Sequence, residues 1–370
     1  MLHLFRPALR RAALPALCLS FALAVPVAAQ GNYDIVELTD GTTMDQVRVL
    51  RFNFRELVVK ERSRERKIPR EKVFHIKLNT SAARGLFKRA RKAVAEENWA
   101  VAWESFIAAG NKAKKRSNLR DFAPQFAYWQ AYLIAREHGS AAERQETVDL
   151  LKGQKDTGFY PNLWEINVRA AMSAGADRAA LSKAKSVVRQ FSDFAKSKLS
   201  EMYQKEAEVY MTQVRLRLRE IDGKQAQKTY QALHTQVKGK YHSLENLLSL
   251  EIARAELLQN HVEEARALFR GIIESGAADE DTMIGAYVGV GHSWMNMPGR
   301  GKEEARKALS NFMRAVVLYP KGDVERLGEA CYFAIKAYRV WDPKATSEMR
   351  RIYTRLKRSY GKSSWASKQL

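Results

Sequence analysis

Glu274, Ser275 and Gly276 stand together ahead of a helical run, and a carboxyl placed there could serve as the general acid that cleaves a glycosidic bond. That reaction ordinarily takes two carboxylates facing one bond. The sequence pairs no second one with Glu274, and the position reads as the exposed end of a helix. Gly285, Gly289 and Gly291 could cradle a phosphate, but no strand leads into them as such a loop needs, and they read as close helix contacts. His75, His138, His234, His242, His261 and His292 are scattered and form no HExxH helix, so no metal ligands are expected. Cys331 lies in the helical run Glu329 to Ala334 and reads as a buried small hydrophobe. The expectation is no catalytic residue, no metal and no cofactor.

Binding chemistry is better supplied. Lys112, Lys114, Lys115 and Arg116, followed by Arg120, precede Phe122, Phe126, Tyr128, Trp129 and Tyr132. Charge beside aromatic rings could engage an acidic peptide or a glycan. Aromatic residues at helical spacing usually form core, which leaves Lys112, Lys114, Lys115 and Arg116 as a candidate basic contact at a rim.

The elements that would carry these residues are helical from about Thr80 onward. Tyr287, Val290, Gly291 and Trp294 are followed by Ala308, Phe312, Ala315 and Pro320. A second set appears at Ala90, Trp99, Ala102, Phe106 and Ala109, and a third at Ala253, Val262, Ala265 and Phe269. This spacing resembles the tetratricopeptide repeat, in which bulky residues knit two antiparallel helices, a small residue lets them approach, and a proline ends the second. Second helices anchor at Asn98, Ala141, Asp177, Lys224, Val262, Glu303 and Lys344, giving seven hairpins over residues 81–370. The units between residues 125 and 238 diverge from the pattern; in the first of them Tyr160-Pro161 is read as the closing signal. Such hairpins cannot bury both apolar faces alone, so they must stack. The resemblance implies a mainly α fold, an α-solenoid that binds another protein and has no catalytic role.

Residues 32–80 follow a different rhythm. Val47, Val49, Leu57 and Val59 alternate with polar neighbours, Asp40-Gly41 marks a turn, and Ile68-Pro69 leads into Val73, Phe74, Ile76 and Leu78. Four or five short strands are expected, resembling the small SH3-like or Sm-like barrels that precede helical repeats in some exported bacterial proteins. Between Lys60 and Lys72 this module is densely basic.

Arg6, Arg10 and Arg11, the apolar stretch Ala12 to Val25 and the small residues Val27-Ala28-Ala29 read as an export signal over residues 1–29, cleaved before Gln30. The stretch is broken by Pro15 and Pro26, and no later segment is apolar enough to span a bilayer. A periplasmic or secreted location is expected. The chain carries a formal charge of +22, of which three charges belong to the leader. That surplus favours acidic partners, and export argues against nucleic acid. The leading expectation is a non-enzymatic periplasmic scaffold whose groove holds an acidic segment of another protein. The rivals are electrostatic attachment to anionic envelope lipid or acidic glycan, and a glycan-acting enzyme. For the last, Glu274-Ser275 resembles the catalytic pair of lytic transglycosylases, without their lysozyme-like domain.

Overall fold

The computed structural model describes residues 33–78, 84–114, 123–154, 157–173, 177–276, 278–320, 322–361 and 363–369. The export signal at 1–29 and two of the basic rim residues, Lys115 and Arg116, lie outside the described residues.

Five strands come first: β1 Asp34–Leu38, β2 Thr43–Phe52, β3 Glu56–Glu61, β4 Arg64–Pro69 and β5 Val73–Lys77. They form one antiparallel sheet in the order β4-β3-β2-β1-β5. Thr42 caps the Asp40-Gly41 turn by donating its backbone N–H to Asp40 Oδ1, with Gly41 at a φ of 83°. The alternation seen in the sequence is the pleat itself: Val36, Val47, Val49, Leu57 and Val59 are buried. The basic residues of β4, Arg64, Arg66 and Lys67, are exposed on an edge strand, where charge discourages pairing with another sheet.

Fourteen helices follow among the described residues: α1 Arg84–Ala95, α2 Trp99–Lys114, α3 Ala123–Glu137, α4 Ala141–Lys152, α5 Tyr160–Ser173, α6 Arg178–Lys198, α7 Glu201–Arg217, α8 Gly223–Val237, α9 His242–Leu258, α10 Val262–Ser275, α11 Glu280–Met295, α12 Lys302–Leu318, α13 Val324–Trp341 and α14 Thr346–Ser359. They pair in chain order as seven hairpins, each second helix starting within two residues of its anchor in the sequence. The fold is mainly α, a tetratricopeptide-like α-solenoid preceded by a small sheet. One expected signal has the opposite role: Tyr160-Pro161 opens α5 instead of closing the hairpin before it. Proline's fixed φ suits the first turn of a helix, where its missing N–H is not needed.

The chain divides into two compact units. The first, Met1–Phe52, Val58–Ile68 and Val73–Lys155, holds α1 to α4 and most of the sheet. Its sheet is tied to its helices by the tilted packing of Phe52 on Phe126, ring centroids 5.1 Å apart, and by Arg91 Nη2 donating to the Leu78 carbonyl at 2.6 Å. Ser140, which replaces a family turn residue, caps α4 in a reciprocal box with Glu143. The second unit takes Asn53–Leu57, Pro69–Lys72 and Asp156–Leu370. Here Phe54 packs on Tyr160 and Phe194, and buried Arg70 donates Nε to the Gly158 carbonyl at 2.6 Å and Nη2 to Asn162 Oδ1 at 2.9 Å.

Within the second unit the first helices of successive hairpins, α5, α7, α9, α11 and α13, touch their second neighbours in line. A two-layer stack bends toward its more closely packed layer, so these five helices line its inner side.

Candidate functional site

Four of the five inner helices carry an ionisable or polar pair three or four residues apart, which places both members on one face. The pairs are Glu165 and Arg169 on α5, Glu206 and Tyr210 on α7, Glu251 and Arg254 on α9, and Arg326 and Glu329 on α13. Helix α11 contributes Asp281 and His292 around an otherwise apolar, buried body.

Stacking brings these pairs together. Arg169 donates to Glu165 Oε1 at 2.5 Å and also to Asp281 Oδ2, so one guanidinium joins α5 to the start of α11. Arg326 Nη1 donates to the Asp281 backbone carbonyl at 2.6 Å, and Arg254 Nη1 to Glu251 Oε1 at 2.5 Å. His292 Nε2 and Glu329 Oε1 are 2.9 Å apart, and the Tyr210 hydroxyl donates to Glu206 Oε1 at 3.1 Å. The result is a polar stripe across five helices.

The stripe is crowded but open to water. Arg169 keeps 41 % of its side chain exposed, against 7 % for Glu251 at the root of the stripe. Burial, followed by the charge of Glu165, pushes the Glu206 carboxyl up to about 8, although Arg169 pulls the other way. Glu206 is therefore biased toward its neutral form. Burial also opposes the charge of Glu329, but the hydrogen bond to His292 and then the charges of His292, Arg254 and Arg326 outweigh it and hold Glu329 below the usual carboxylate range. Two carboxyls on one face are thus shifted in opposite directions. Among the described residues no group of three or more His, Cys, Asp or Glu is placed to hold a metal ion.

The residues singled out in the sequence lie elsewhere. Ala90, Ala102, Phe106 and Ala109 are buried between α1 and α2, with Trp99 at their margin. Ala253, Ala265, Phe269, Tyr287, Ala308, Phe312 and Ala315 share one core, and Val262 is buried at the start of α10. Trp294 packs at the edge of that core under the guanidinium of Arg266, 3.6 Å above its ring. Gly291 lies against Phe312, and Pro320, beyond α12, accepts the Tyr360 hydroxyl at 3.2 Å through its carbonyl. Lys112 and Lys114 occupy the exposed last turn of α2. Phe126, Tyr128 and Tyr132 are buried, as their helical spacing suggests. Glu274 and Ser275 are the exposed end of α10, with Gly276 left-handed just beyond. Cys331 is fully buried, and burial pushes its thiol up to about 12, which makes it a poor nucleophile.

The stripe itself escaped the sequence reading. Its signal is a glutamate with an arginine or tyrosine three or four residues later in the first helix of successive hairpins, recurring at Glu165, Glu206 and Glu251.

Architecture and inner face together define a tetratricopeptide-like helical-repeat protein. No protein-family model matches the chain, and no curated protein matches it in sequence. Among solved structures it is similar to a Rap protein in complex with competence and sporulation factor, with 11 % identity and a TM-score of 0.48 over 77 % of this chain and 78 % of that one. It is also similar to a putative kinesin light chain from Podosopora anserina with nearly identical TPR-like repeats, with 12 % identity and a TM-score of 0.35 over 55 % of this chain and 97 % of that one.

Proposed function

We propose that this protein is a non-enzymatic scaffold of the bacterial periplasm that holds a segment of another protein along the inner face of α5, α7, α9, α11 and α13. The polar stripe carries this reading: five successive helices each present hydrogen-bonding side chains to one face that stays open to water. Such a series suits an extended chain, whose backbone and side chains offer donors and acceptors at regular intervals. The net charge, +22 for the full chain and three charges fewer without the leader, favours an acidic partner and speeds encounter. Export follows from the leader at residues 1–29, whose removal leaves Gln30 first.

The test is a photocrosslinker placed at Glu165 on the inner face and, for comparison, at exposed Arg306 on α12, in the full chain expressed in a Gram-negative host. A discrete protein adduct from position 165 but not 306, retained in high salt, is the expected result. Equal labelling from both positions would overturn it. Mass analysis of the product tests cleavage before Gln30.

A second reading is attachment to anionic lipid or acidic glycan, favoured by the exposed Arg62, Arg64, Arg66 and Lys67 around β4. Binding to anionic vesicles that vanishes with salt, without any protein adduct, would support it.

A further inference from the structure

Helix α11 is buried along most of its length, yet it carries glycine at position 285. A Cβ built there would stand 2.7 Å from Arg326 Nη1 and 3.1 Å from Arg254 Nη2, with Leu250 Cδ2 at 2.8 Å. Two guanidinium groups, from α9 and α13, therefore close on one bare patch of α11, a turn beyond Asp281. The absent side chain is what admits them. Like charges gathered on a half-buried surface repel unless an anion lies between them.

The surrounding charges compensate unequally. Arg254 has Glu251 at 2.5 Å. Arg326 has no carboxylate within 4.0 Å among the described residues; its only side-chain bond is to the neutral Asp281 carbonyl. Glu329, one turn along α13, is engaged by His292 at 2.9 Å, and the Asp281 carboxylate is engaged by Arg169. Asp323 is spent on capping α13. Arg326 is thus the arginine of the pair without a direct carboxylate partner, although the charges of Asp323 and Glu251 favour its charged form from a distance. Burial first, and the charge of Arg254 second, push its pKa down to about 10.

We propose that Arg254 and Arg326, meeting over Gly285, seat a carboxylate side chain of the segment held in the groove. This rests on the scaffold reading and names one anchor within it. A planar guanidinium pairs well with a planar carboxylate through two parallel N–H donors. Arg326 has donors to spare for such a pair, having committed one nitrogen to Asp281. The anchor gives the inner face a preference for Asp or Glu at one register of the bound segment.

The experiment is a thermal-shift titration of the full chain with the dipeptide acetyl-Glu-Asp-amide, its neutral counterpart acetyl-Gln-Asn-amide, and inorganic phosphate. Wild type should be stabilised saturably by the acidic dipeptide and not by the neutral one. Arg326→Gln should weaken that binding at least tenfold, and Arg326→Lys should restore part of it. Gly285→Ala, which keeps both charges but fills the patch, should weaken it too, while Arg306→Gln on the exposed face of α12 should not. Equal binding by wild type and Arg326→Gln overturns the proposal, as does an equal response to the neutral dipeptide. A response to phosphate alone overturns the carboxylate assignment. Circular dichroism confirms that each variant is folded before its titration is read. Should Arg326→Gln bind like wild type while the crosslinker at position 165 still captures a protein, the anchor fails and the scaffold reading stands. Arg326-dependent binding without any captured protein means the reverse.

Discussion

Gly291 on α11 lies under the ring of Phe312 on α12, so close that a Cβ at position 291 would stand 2.5 Å from Phe312 Cε1. The relationship explains two sequence features at once. A glycine, poor in helices, is placed mid-helix because the neighbouring helix fills its space, and the aromatic residue 21 positions later is fully buried because the glycine is there.

Gly291→Ala should therefore destabilise the protein by about 1–3 kcal/mol, the usual cost of forcing extra volume into a packed core. Gly271 on α10 is the internal control, since a Cβ there meets nothing within 4 Å. Gly271→Ala should stabilise by about 0.5–1 kcal/mol through helix propensity alone. Urea denaturation of the two variants checks both signs. A neutral Gly291→Ala would mean the ring can move aside.

Glu206 makes stability depend on pH. Its folded pKa of about 8 lies above the ordinary 4.5, so the folded chain keeps a proton that the unfolded chain releases. Stability falls as pH rises from 4.5 to about 8 and gains nothing from this group above that. The groups facing it are Glu165 and Asp279, which raise the value, and Arg169 and Tyr210, which lower it. Glu206→Gln should match wild type near pH 4 and exceed it at pH 9. Urea midpoints at pH 4, 7 and 9 measure this, and parallel curves for the two proteins would refute it.

Tyr230 on α8 is fully buried, and its hydroxyl has no hydrogen-bond partner among the described residues. An unpaired buried polar group costs free energy that a methine of the same ring does not. Tyr230→Phe should be neutral or stabilising by up to about 1 kcal/mol. A loss of more than about 1 kcal/mol in thermal unfolding would show that the hydroxyl is partnered in solution.

What the sequence reveals and what it hides follow from the same geometry. Ala308, Phe312 and Ala315 lie within two turns of one helix, so their spacing can be read directly as a packing face. The seven hairpin boundaries follow from this local logic. Even the divergent unit starting at Ala141 keeps a legible signal, because Ser140 and Glu143 form a capping box within four residues. The inner stripe is different in kind. Arg169 and Asp281 are 112 residues apart, and their meeting is set by how the hairpins stack, with two of them lying between. A single charged pair on α5 looks like ordinary helix surface until its counterparts on α7 and α9 are placed beside it. Tyr160-Pro161 misled for a simpler reason: proline marks either end of a helix boundary, and its N-terminal use depends on a neighbour the pattern does not contain.

The far end of the second unit gives the last prediction. Glycine at position 328 on α13 leaves room for Ser363, whose Oγ would lie 2.2 Å from a Cβ there, and the chain after α14 settles onto this gap. Trp365 then packs on Tyr332 and Phe333, each at a centroid distance of 5.3 Å, while Ser364 donates its backbone N–H to Glu325 at 2.9 Å and Tyr332 donates its hydroxyl to the Gln369 carbonyl at 3.2 Å. In a repeat stack this side of the last hairpin is where a following unit would dock, and an uncovered apolar face there invites association. The residues after α14 do the covering. Trp365→Ala should lower stability by about 1–3 kcal/mol, as loss of a half-buried aromatic does. It should also make the protein self-associate as concentration rises. Sedimentation at several concentrations distinguishes these outcomes from simple loosening: a variant that is less stable but stays monomeric throughout would show that Trp365 contributes packing without guarding the end of the stack.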